Sequence, residues 1–236
     1  MKPTVRWTIG PVNHHGFDSL ELSIRNWKRI YKDEFNMVIC HNGLNNSQFE
    51  RVSRLNVEMI DQNKFKNSLP YLPKGPTWKL YPQRLNIKSH EIVIDNDLIL
   101  FKRSPTIDKF LESDDLFICT SAYRRFYGQY RNIVPENMVI NSGLFGMPPN
   151  YDLQNKIKEF IVKFPSEGWV DHCDDEGVLA YLMSSCNFMH IPMHEIAVCN
   201  PNVDFAPYRI GNSGVHFVGL NQGFSNYYFN YIFGLI

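Results

Sequence analysis

The first sixty residues alternate between short apolar runs and amphipathic helical patterns, which restricts the fold more than any other feature of the chain. The apolar runs predict strands at Thr4–Ile9, Phe35–Cys40 and Val57–Ile60. Between the first two, apolar residues recur at helical spacings of four, three and four, at Leu20, Ile24, Trp27 and Tyr31. Strands separated by helices usually pair in parallel, because the crossover returns the chain to the same edge of the sheet. The pattern therefore predicts an α/β fold with a mainly parallel central sheet.

Charge and length narrow the functional classes. The 236 residues include 24 Lys and Arg against 24 Asp and Glu, so the formal net charge is zero. A protein that binds duplex nucleic acid normally carries an excess of positive charge, so a nucleic-acid partner is not expected. The length fits one larger α/β domain as well as two small ones, and the lack of a linker or repeat favours one domain over residues 1–236.

The cysteine content and the termini predict a compartment. The chain has five cysteines and no Cys-x-x-Cys pair, which favours reduced thiols over a disulfide framework. The first sixteen residues contain no apolar segment of the kind found in signal peptides, and no apolar run reaches membrane-spanning length. We therefore expect a cytoplasmic protein.

The strongest chemical motif is an apolar, β-branched run that ends in two carboxylates. Ile92-Val93-Ile94 leads into Asp95-Asn96-Asp97. Residues two apart on a strand point to the same face, so both carboxylates can meet one cation if the backbone stays extended. Oxygen ligands of this kind suit Mg²⁺ or Mn²⁺. The alternative is a strand that ends in an Asn/Asp turn and binds no ion.

A haloacid-dehalogenase-like phosphatase is one enzyme class with such a motif. In that class the first aspartate, here Asp95, acts as the nucleophile. Ile118-Cys119-Thr120-Ser121 could imitate its second motif and Asp174-Asp175 its acidic pair. However, the Asp-x-Asp of that class normally follows the first strand, whereas about three predicted strands precede Asp95.

Four motifs in order carry a more extensive resemblance. They are Arg84-Leu85 with Ile92–Asp97, Asn141-Ser142-Gly143-Leu144-Phe145, Asp175-Glu176-Gly177-Val178-Leu179 and His216-Phe217-Val218-Gly219. Together they resemble the nucleotide-sugar-dependent glycosyltransferases of the GT-A fold. The pattern is nearest to glycosyltransferase family 8, whose members are glycogenin-like and bacterial galactosyltransferase-like. The resemblance implies a single GT-A-like (Rossmann-like) domain, with a mixed, mainly parallel central sheet flanked by helices.

The same resemblance implies a role for each matching residue. Asp95, Asp97 and His216 would hold Mn²⁺ (or Mg²⁺), which neutralises the leaving diphosphate, with the donor ribose as the alternative partner of Asp95. The donor would contact Thr8, Gly10, Arg84, Asn96, Asn141, Ser142 and Gly143. Asp175 and Glu176 would lie at the reacting centre. Glu176 stands where the family has glutamine, and a carboxylate there could be a nucleophile in a retaining reaction or a base in an inverting one. The stereochemistry therefore stays open.

The implied function is sugar transfer from a nucleoside-diphosphate sugar, with a UDP-sugar favoured. The acceptor would be a hydroxyl of a glycan, a lipid-linked molecule or a protein, in glycan or surface polysaccharide synthesis. A sugar-nucleotide-binding module without turnover is the alternative. Each motif also has a simpler explanation when taken alone. His216 could be an ordinary core residue, and Asp174-Asp175-Glu176 could simply cap a helix.

The end of the chain is rich in aromatic side chains. Six of them lie between Phe224 and Ile236. We expect this segment to pack on the core. A homodimer contact, acceptor stacking or peripheral attachment to a membrane are the alternatives. The apolar ending at Ile236 leads us to expect that the natural chain continues.

Overall fold

A computed structural model describes residues 1–64, 69–73, 75–121, 126–199 and 210–219. These residues form ten strands and five α-helices. The strands are β1 (Thr4–Ile9), β2 (Asn36–His41), β3 (Glu58–Asp61), β4 (Glu91–Ile94), β5 (Leu98–Leu100), β6 (Leu116–Thr120), β7 (Ile140–Met147), β8 (Phe188–Ile191), β9 (Ile196–Cys199) and β10 (Gly214–Phe217). The α-helices are α1 (His14–Tyr31), α2 (Asn46–Ser53), α3 (Pro105–Phe110), α4 (Leu153–Lys163) and α5 (Asp174–Ser184). Short 3₁₀ helices cover Gln62–Lys64, Gly75–Leu80 and Gly128–Tyr130.

Seven strands form the main sheet, in the order β3-β2-β1-β4-β7-β6-β8. Only β7 runs antiparallel to its neighbours within this sheet, and every other pairing is parallel. The prediction of a mixed, mainly parallel sheet is confirmed. Because β7 is reversed, its first residues lie at the same edge of the sheet as the carboxyl end of β4.

A second, three-stranded sheet has the order β5-β10-β9. In it β10 pairs antiparallel with β5 and parallel with β9. The chain passes from β4 into β5 through Asp95–Asp97, so this turn connects the two sheets. The arrangement brings β10, from the C-terminal part of the chain, to the carboxyl end of β4.

Helices cover both faces of the main sheet because alternate strand residues point to opposite sides. On β4, Ile92 and Ile94 pack in one apolar cluster with Trp27 of α1. Val93 packs in the other cluster with Val178 of α5. The buried face of α1 contains all four apolar residues that its sequence pattern singles out. The helix begins earlier than that pattern, because the Asn13 side chain accepts a hydrogen bond from the first turn.

Two local predictions are wrong. The apolar residues Trp78, Leu80 and Leu85 predict a helix that opens there and runs to about Lys88. In the structure the 3₁₀ helix ends at Leu80 and irregular backbone follows. Pro82 lacks the N–H that a continuing helix needs there. In addition, β9 lies in a segment for which the sequence predicts no strand.

Some predictions concern residues outside the described ones. The aromatic segment Phe224–Ile236 is among these, so its packing, dimer and membrane alternatives stay predictions. Within the described ranges, no helix combines the length and the apolar character needed to cross a bilayer.

Candidate active site

A cavity of about 670 Å³ opens at the carboxyl edge of the main sheet. Its walls come from the end of β1 and the residues after it, the turn after β4, the start of β7, the start of α5 with the two residues before it, the end of β10 with the residues after it, and the Gly75–Leu80 3₁₀ helix. Ligands of open α/β sheets bind at this edge, because the connecting loops diverge there. The cavity is therefore the natural place for the polar residues of the four motifs to meet.

Asp95 and Asp97 converge through a turn and not through an extended strand. β4 ends at Ile94, and the Leu98 N–H donates to the Asp95 carbonyl 3.3 Å away. The Asp95 N–H in turn donates to the Gly143 carbonyl at 2.8 Å, which attaches the turn to β7. Extended geometry is thus the wrong reason for the convergence. The turn itself brings both carboxylates beside His216.

These three residues form a compact cluster of oxygen and nitrogen donors. One ligand atom from each of Asp95, Asp97 and His216 lies within 4.8 Å of the other two. The His216 Nε2 atom is 3.1 Å from an Asp97 oxygen and 3.8 Å from an Asp95 oxygen. His216 and Asp97 are buried, whereas Asp95 is about one quarter exposed to the cavity. Carboxylate and imidazole donors fit Mn²⁺ or Mg²⁺.

The orientation of the His216 ring is fixed from behind by Asn141. His216 Nδ1 is 2.8 Å from Asn141 Oδ1, which also accepts the Gly143 N–H at 3.0 Å. The Asn141 amide donates to Glu176 Oε1 at 3.0 Å, so its oxygen must face the imidazole. Because this oxygen can only accept, Nδ1 carries the proton and Nε2 points to the carboxylates. Partners of this type orient histidines that bind metals.

Gly143 leaves the space that the His216 ring occupies. A Cβ atom on Gly143 would lie 2.2 Å from Cε1 and 2.4 Å from Nδ1 of His216. Glycine is therefore required here by close approach. The donor contact that the resemblance implies for Gly143 stays a prediction, whereas the structure places this glycine against the imidazole.

Lys79 is a site residue that sequence reasoning missed. Its ammonium lies 2.8 Å from one Asp95 oxygen and 3.3 Å from an Asp175 oxygen, and it donates to Ser142 Oγ at 3.2 Å. The side chain is only 5% exposed. Burial lowers the pKa of Lys79, but the Asp95 and Asp175 carboxylates outweigh this and raise it above its ordinary value of 10.5. Lys79 therefore carries a positive charge at neutral pH.

The first turn of α5 contributes the other two carboxylates. Asp175 accepts a hydrogen bond from Ser142 Oγ at 2.8 Å, and Glu176 accepts from the Ser142 N–H at 3.4 Å. Both side chains line the cavity and are almost fully buried. Negative side chains are favourable at a helix N-terminus, so helix capping and a place in the site are compatible.

The charges of this cluster favour a bound cation. Four carboxylates, those of Asp95, Asp97, Asp175 and Glu176, share the cavity with the ammonium of Lys79. Like charges that are held close together out of water repel strongly. A divalent cation beside Asp95, Asp97 and His216 would offset this excess of negative charge.

Asp174 has a structural role. Its carboxylate accepts four hydrogen bonds, from the N–H groups of Val170, Asp171 and Gln129 and from the Gln129 side chain, at 2.7–3.0 Å. A Cβ on Gly128 would lie 2.0 Å from an Asp174 oxygen, so this segment passes close to the carboxylate. Asp174 therefore fixes the loop that leads into α5.

The remaining predicted residues divide into two groups. Thr8, Gly10 and Asn96 line the cavity, and Asn96 also donates to the Gly16 carbonyl at 2.7 Å. Arg84 lies elsewhere: its guanidinium donates to the carbonyls of Pro148, Tyr151 and Ser89, and it contacts Glu91 at the start of β4. Burial lowers the pKa of Arg84, although Glu91 opposes the shift. Among the residues that the structure describes, the lysine or arginine that lines the cavity is Lys79 and not Arg84.

Comparisons with known proteins add information on the fold. No protein-family model and no curated protein matches the sequence. Among solved structures, the chain resembles the galactosyltransferase LgtC in complex with donor and acceptor sugar analogues (TM-score 0.56, 12% identity, 94% of this chain and 83% of that one). An active-site mutant of LgtC gives a TM-score of 0.58 at 10% identity, over 91% of this chain and 87% of the other.

Two further structures show the same architecture. Mouse xyloside xylosyltransferase 1 matches with a TM-score of 0.53 and 13% identity, over 90% of this chain and 96% of that chain. The bifunctional glycosyltransferase WbbM matches with a TM-score of 0.59 and 13% identity, over 92% of this chain and 46% of its own length. The predicted fold is thereby confirmed: the chain has the GT-A fold of these glycosyltransferases.

Proposed function

We propose that this protein is a metal-dependent glycosyltransferase that moves a sugar from a nucleoside-diphosphate sugar to a hydroxyl acceptor. The observation that carries the proposal is the Asp95–Asp97–His216 cluster in a cavity that also contains Lys79 and Asp175. A GT-A fold with a divalent-cation site at this edge of the sheet suits a substrate with a diphosphate. The donor analogue in the LgtC complex supports the same substrate class.

The metal-binding residues have a defined part in this reaction. Asp97 and the Nε2 atom of His216 would hold Mn²⁺ or Mg²⁺, and Asp95 would complete the protein ligands. The bound cation would act as a Lewis acid that stabilises the leaving nucleoside diphosphate. Asn141 keeps the His216 ring oriented for this task.

The other polar residues would bind the donor and the reacting sugar. Thr8, Gly10 and Asn96 lie on the β1 side of the cavity and are assigned to the nucleoside. Asn141 and Ser142 border the space beside Asp175 and Glu176, where we place the transferred sugar. Lys79 holds Asp95 and Asp175 at fixed positions on either side of this space. Asp175 and Glu176 are our candidates for the residues at the reacting centre.

A thermal-shift screen of nucleotide sugars, with and without Mn²⁺, tests the proposal. We expect stabilisation by one donor class, with a UDP-sugar favoured, that requires the metal and disappears on EDTA treatment. Release of the nucleoside diphosphate should then be measured with simple glycosides as acceptors. If no nucleotide sugar shifts the melting temperature in the presence of Mn²⁺, the proposal fails.

A matched pair of variants makes the screen specific. Asp97→Asn keeps the shape of the side chain but removes a charged metal ligand, so the Mn²⁺-dependent shift should be lost. Asp114→Asn changes an exposed aspartate outside the cavity and should behave as the unmodified protein. Equal shifts in both variants would count against the metal site.

The two alternative functions, a binding module and a phosphatase, are distinguished from a glycosyltransferase by the products that are released. A binding module would show the same metal-dependent stabilisation but would never release a nucleoside diphosphate. The phosphatase alternative is not favoured, because the fold is that of glycosyltransferases and Asp95 is bound to Lys79. The phosphatase alternative would be supported if the protein hydrolysed a phosphomonoester and Asp95→Asn abolished this activity.

The wider assignments are proposals of the same kind. We place the protein in the cytoplasm as one domain over residues 1–236, acting in glycan or surface polysaccharide synthesis. The zero net charge is compatible with an anionic donor, since the cation supplies positive charge locally.

A further inference from the structure

A second group of metal-binding side chains lies in the loop just before α5. Asp171, His172 and Cys173 each offer one ligand atom, and these three atoms lie within 4.8 Å of one another. His172 Nδ1 is 3.3 Å from an Asp171 oxygen. Two ligand atoms of one tetrahedral zinc ion lie about 3.3–3.8 Å apart, given bond lengths of roughly 2.0–2.3 Å. The separation of His172 from Asp171 is in this range, and the ligand atom of Cys173 lies within 4.8 Å of both.

The loop that carries these ligands is held in place by other residues. The Asp174 carboxylate accepts the N–H groups of Val170 and Asp171, and it is itself fixed by Gln129. The Cys173 N–H donates to an Asp171 oxygen at 2.8 Å. Metal sites bind more tightly when their supporting residues are already ordered, because less conformational entropy is lost.

The three residues also differ in exposure in a way that suits metal entry. The His172 side chain is 77% exposed and that of Asp171 is 44% exposed, whereas Cys173 is buried. His172 and Cys173 both line the cavity. An ion that enters the cavity can therefore reach both residues.

We propose that Asp171, His172 and Cys173 form a second metal site, selective for Zn²⁺. A thiolate and an imidazole favour a borderline-soft ion, whereas the carboxylate-rich Asp95–Asp97–His216 cluster favours a hard one. On binding, the Cys173 thiol loses its proton to solvent and the sulfur forms a bond to zinc, while water completes the coordination. No oxidation or reduction is involved. This inference does not depend on the proposed sugar transfer.

Titration of the reduced full-length protein with Co²⁺ tests the site. Co²⁺ takes the place of Zn²⁺ and gives a near-ultraviolet charge-transfer band when it is bound to a thiolate. We expect this band to grow to saturation as Co²⁺ is added and to disappear when Zn²⁺ is added. An absent band at excess Co²⁺ would overturn the proposal.

Two cysteine variants identify the ligand. Cys173→Ser should abolish the band, and Cys186→Ser, which alters an exposed cysteine outside the cluster, should preserve it. A band that persists in Cys173→Ser would contradict the assignment. Asp97→Asn should leave the band unchanged, which separates this site from the one proposed for sugar transfer.

A third variant keeps the test valid if Cys173→Ser fails to fold. The exposed His172 side chain can be removed without disturbing the core, so His172→Ala should have an unchanged melting temperature. We expect the Co²⁺ affinity of this variant to fall at least tenfold. An unchanged affinity would show that His172 is not a ligand and would overturn the proposed site.

Discussion

Asn141 Oδ1 lies 2.8 Å from His216 Nδ1, and this single contact determines which nitrogen of the imidazole faces Asp97. The two residues are 75 positions apart and lie on different sheets. The contact therefore couples the geometry of the candidate metal site to the packing of β10 against the start of β7.

Replacing Asn141 by alanine should weaken metal binding without removing any of the three candidate ligands. His216 would lose the acceptor that fixes its ring, and such partners typically contribute a factor of about 10 to 100 in metal affinity. Calorimetric titration with Mn²⁺ measures the effect. Asn155→Ala, on the exposed side of α4, is the control and should bind Mn²⁺ normally. Equal affinities in the two variants would contradict the role assigned to Asn141.

Gly143→Ala should destabilise the fold, because the added methyl group overlaps the His216 ring. Overpacking of this kind costs about 1–3 kcal/mol of unfolding free energy. Urea denaturation measures the change. Adding His216→Ala to this variant should restore much of the loss, since the overlapping ring is gone. Gly10→Ala provides the comparison, because no atom lies within 4 Å of the new Cβ. A double variant as unstable as Gly143→Ala alone would be evidence against this overlap.

Lys79→Met should destabilise the protein strongly, because it leaves the carboxylates of Asp95 and Asp175 without their buried cation. Removing one partner of a buried pair costs about 3–5 kcal/mol. Lys156→Met removes the lysine of an exposed pair with Glu159 and should leave the stability almost unchanged, because solvent screens such pairs. We further expect Mn²⁺ to raise the melting temperature of Lys79→Met more than that of the unmodified protein. Similar stabilities for the two lysine variants would contradict this account.

The pH dependence of the Lys79 contribution follows from the direction of its pKa shift. The folded-state pKa is raised above 10.5, so the stability that Lys79 contributes is complete below the unfolded pKa and is lost as pH rises through the folded value. The titration of Lys79 should therefore cause no change in the stability difference between the unmodified protein and Lys79→Met from about pH 6 to pH 9. Urea denaturation at several pH values tests this. A difference that disappears near neutral pH would show that Lys79 is not the charged partner.

Arg84→Met should lower stability but leave donor binding intact. Its guanidinium is bonded to backbone carbonyls and to Glu91, which also pairs with Arg6 at 3.0 Å, away from the cavity. Thermal melts and calorimetric titration with a nucleotide sugar separate the two effects. If the variant loses affinity for the donor while its melting temperature is unchanged, Arg84 contacts the donor, as the resemblance to the glycosyltransferases implies.

Much of the fold was predictable because its signals are local. β1 has the predicted bounds, Thr4–Ile9, since a short run rich in β-branched and aromatic residues that is buried at all but one position favours a strand. Helix α4 is likewise predictable from apolar residues at helical spacing, which are Leu153, Ile157, Phe160, Ile161 and Phe164. By contrast, the helix predicted after Trp78 failed because Pro82 and tertiary contacts override a weak periodic pattern.

The sequence by itself determined which side chains are available: two aspartates after a buried strand, a histidine in a late strand and carboxylates at the start of α5. The sequence could not determine which of two nearby basic side chains lies beside these carboxylates. Lys79 and Arg84 are five residues apart, yet Arg84 meets Glu91 at the start of β4 and Lys79 meets Asp95 just beyond its end.

Only the tertiary structure determined that Lys79, and not Arg84, lies beside Asp95, and the reason is geometric. Four residues of extended strand separate Glu91 from Asp95 by about 13 Å, so the direction in which the chain crosses β4 decides which cation reaches the cavity. The pairing of Asp97 with His216, 119 positions apart, depends in the same way on β10 joining β5. Local pattern supplied the chemical groups, and long-range packing brought them within bonding distance.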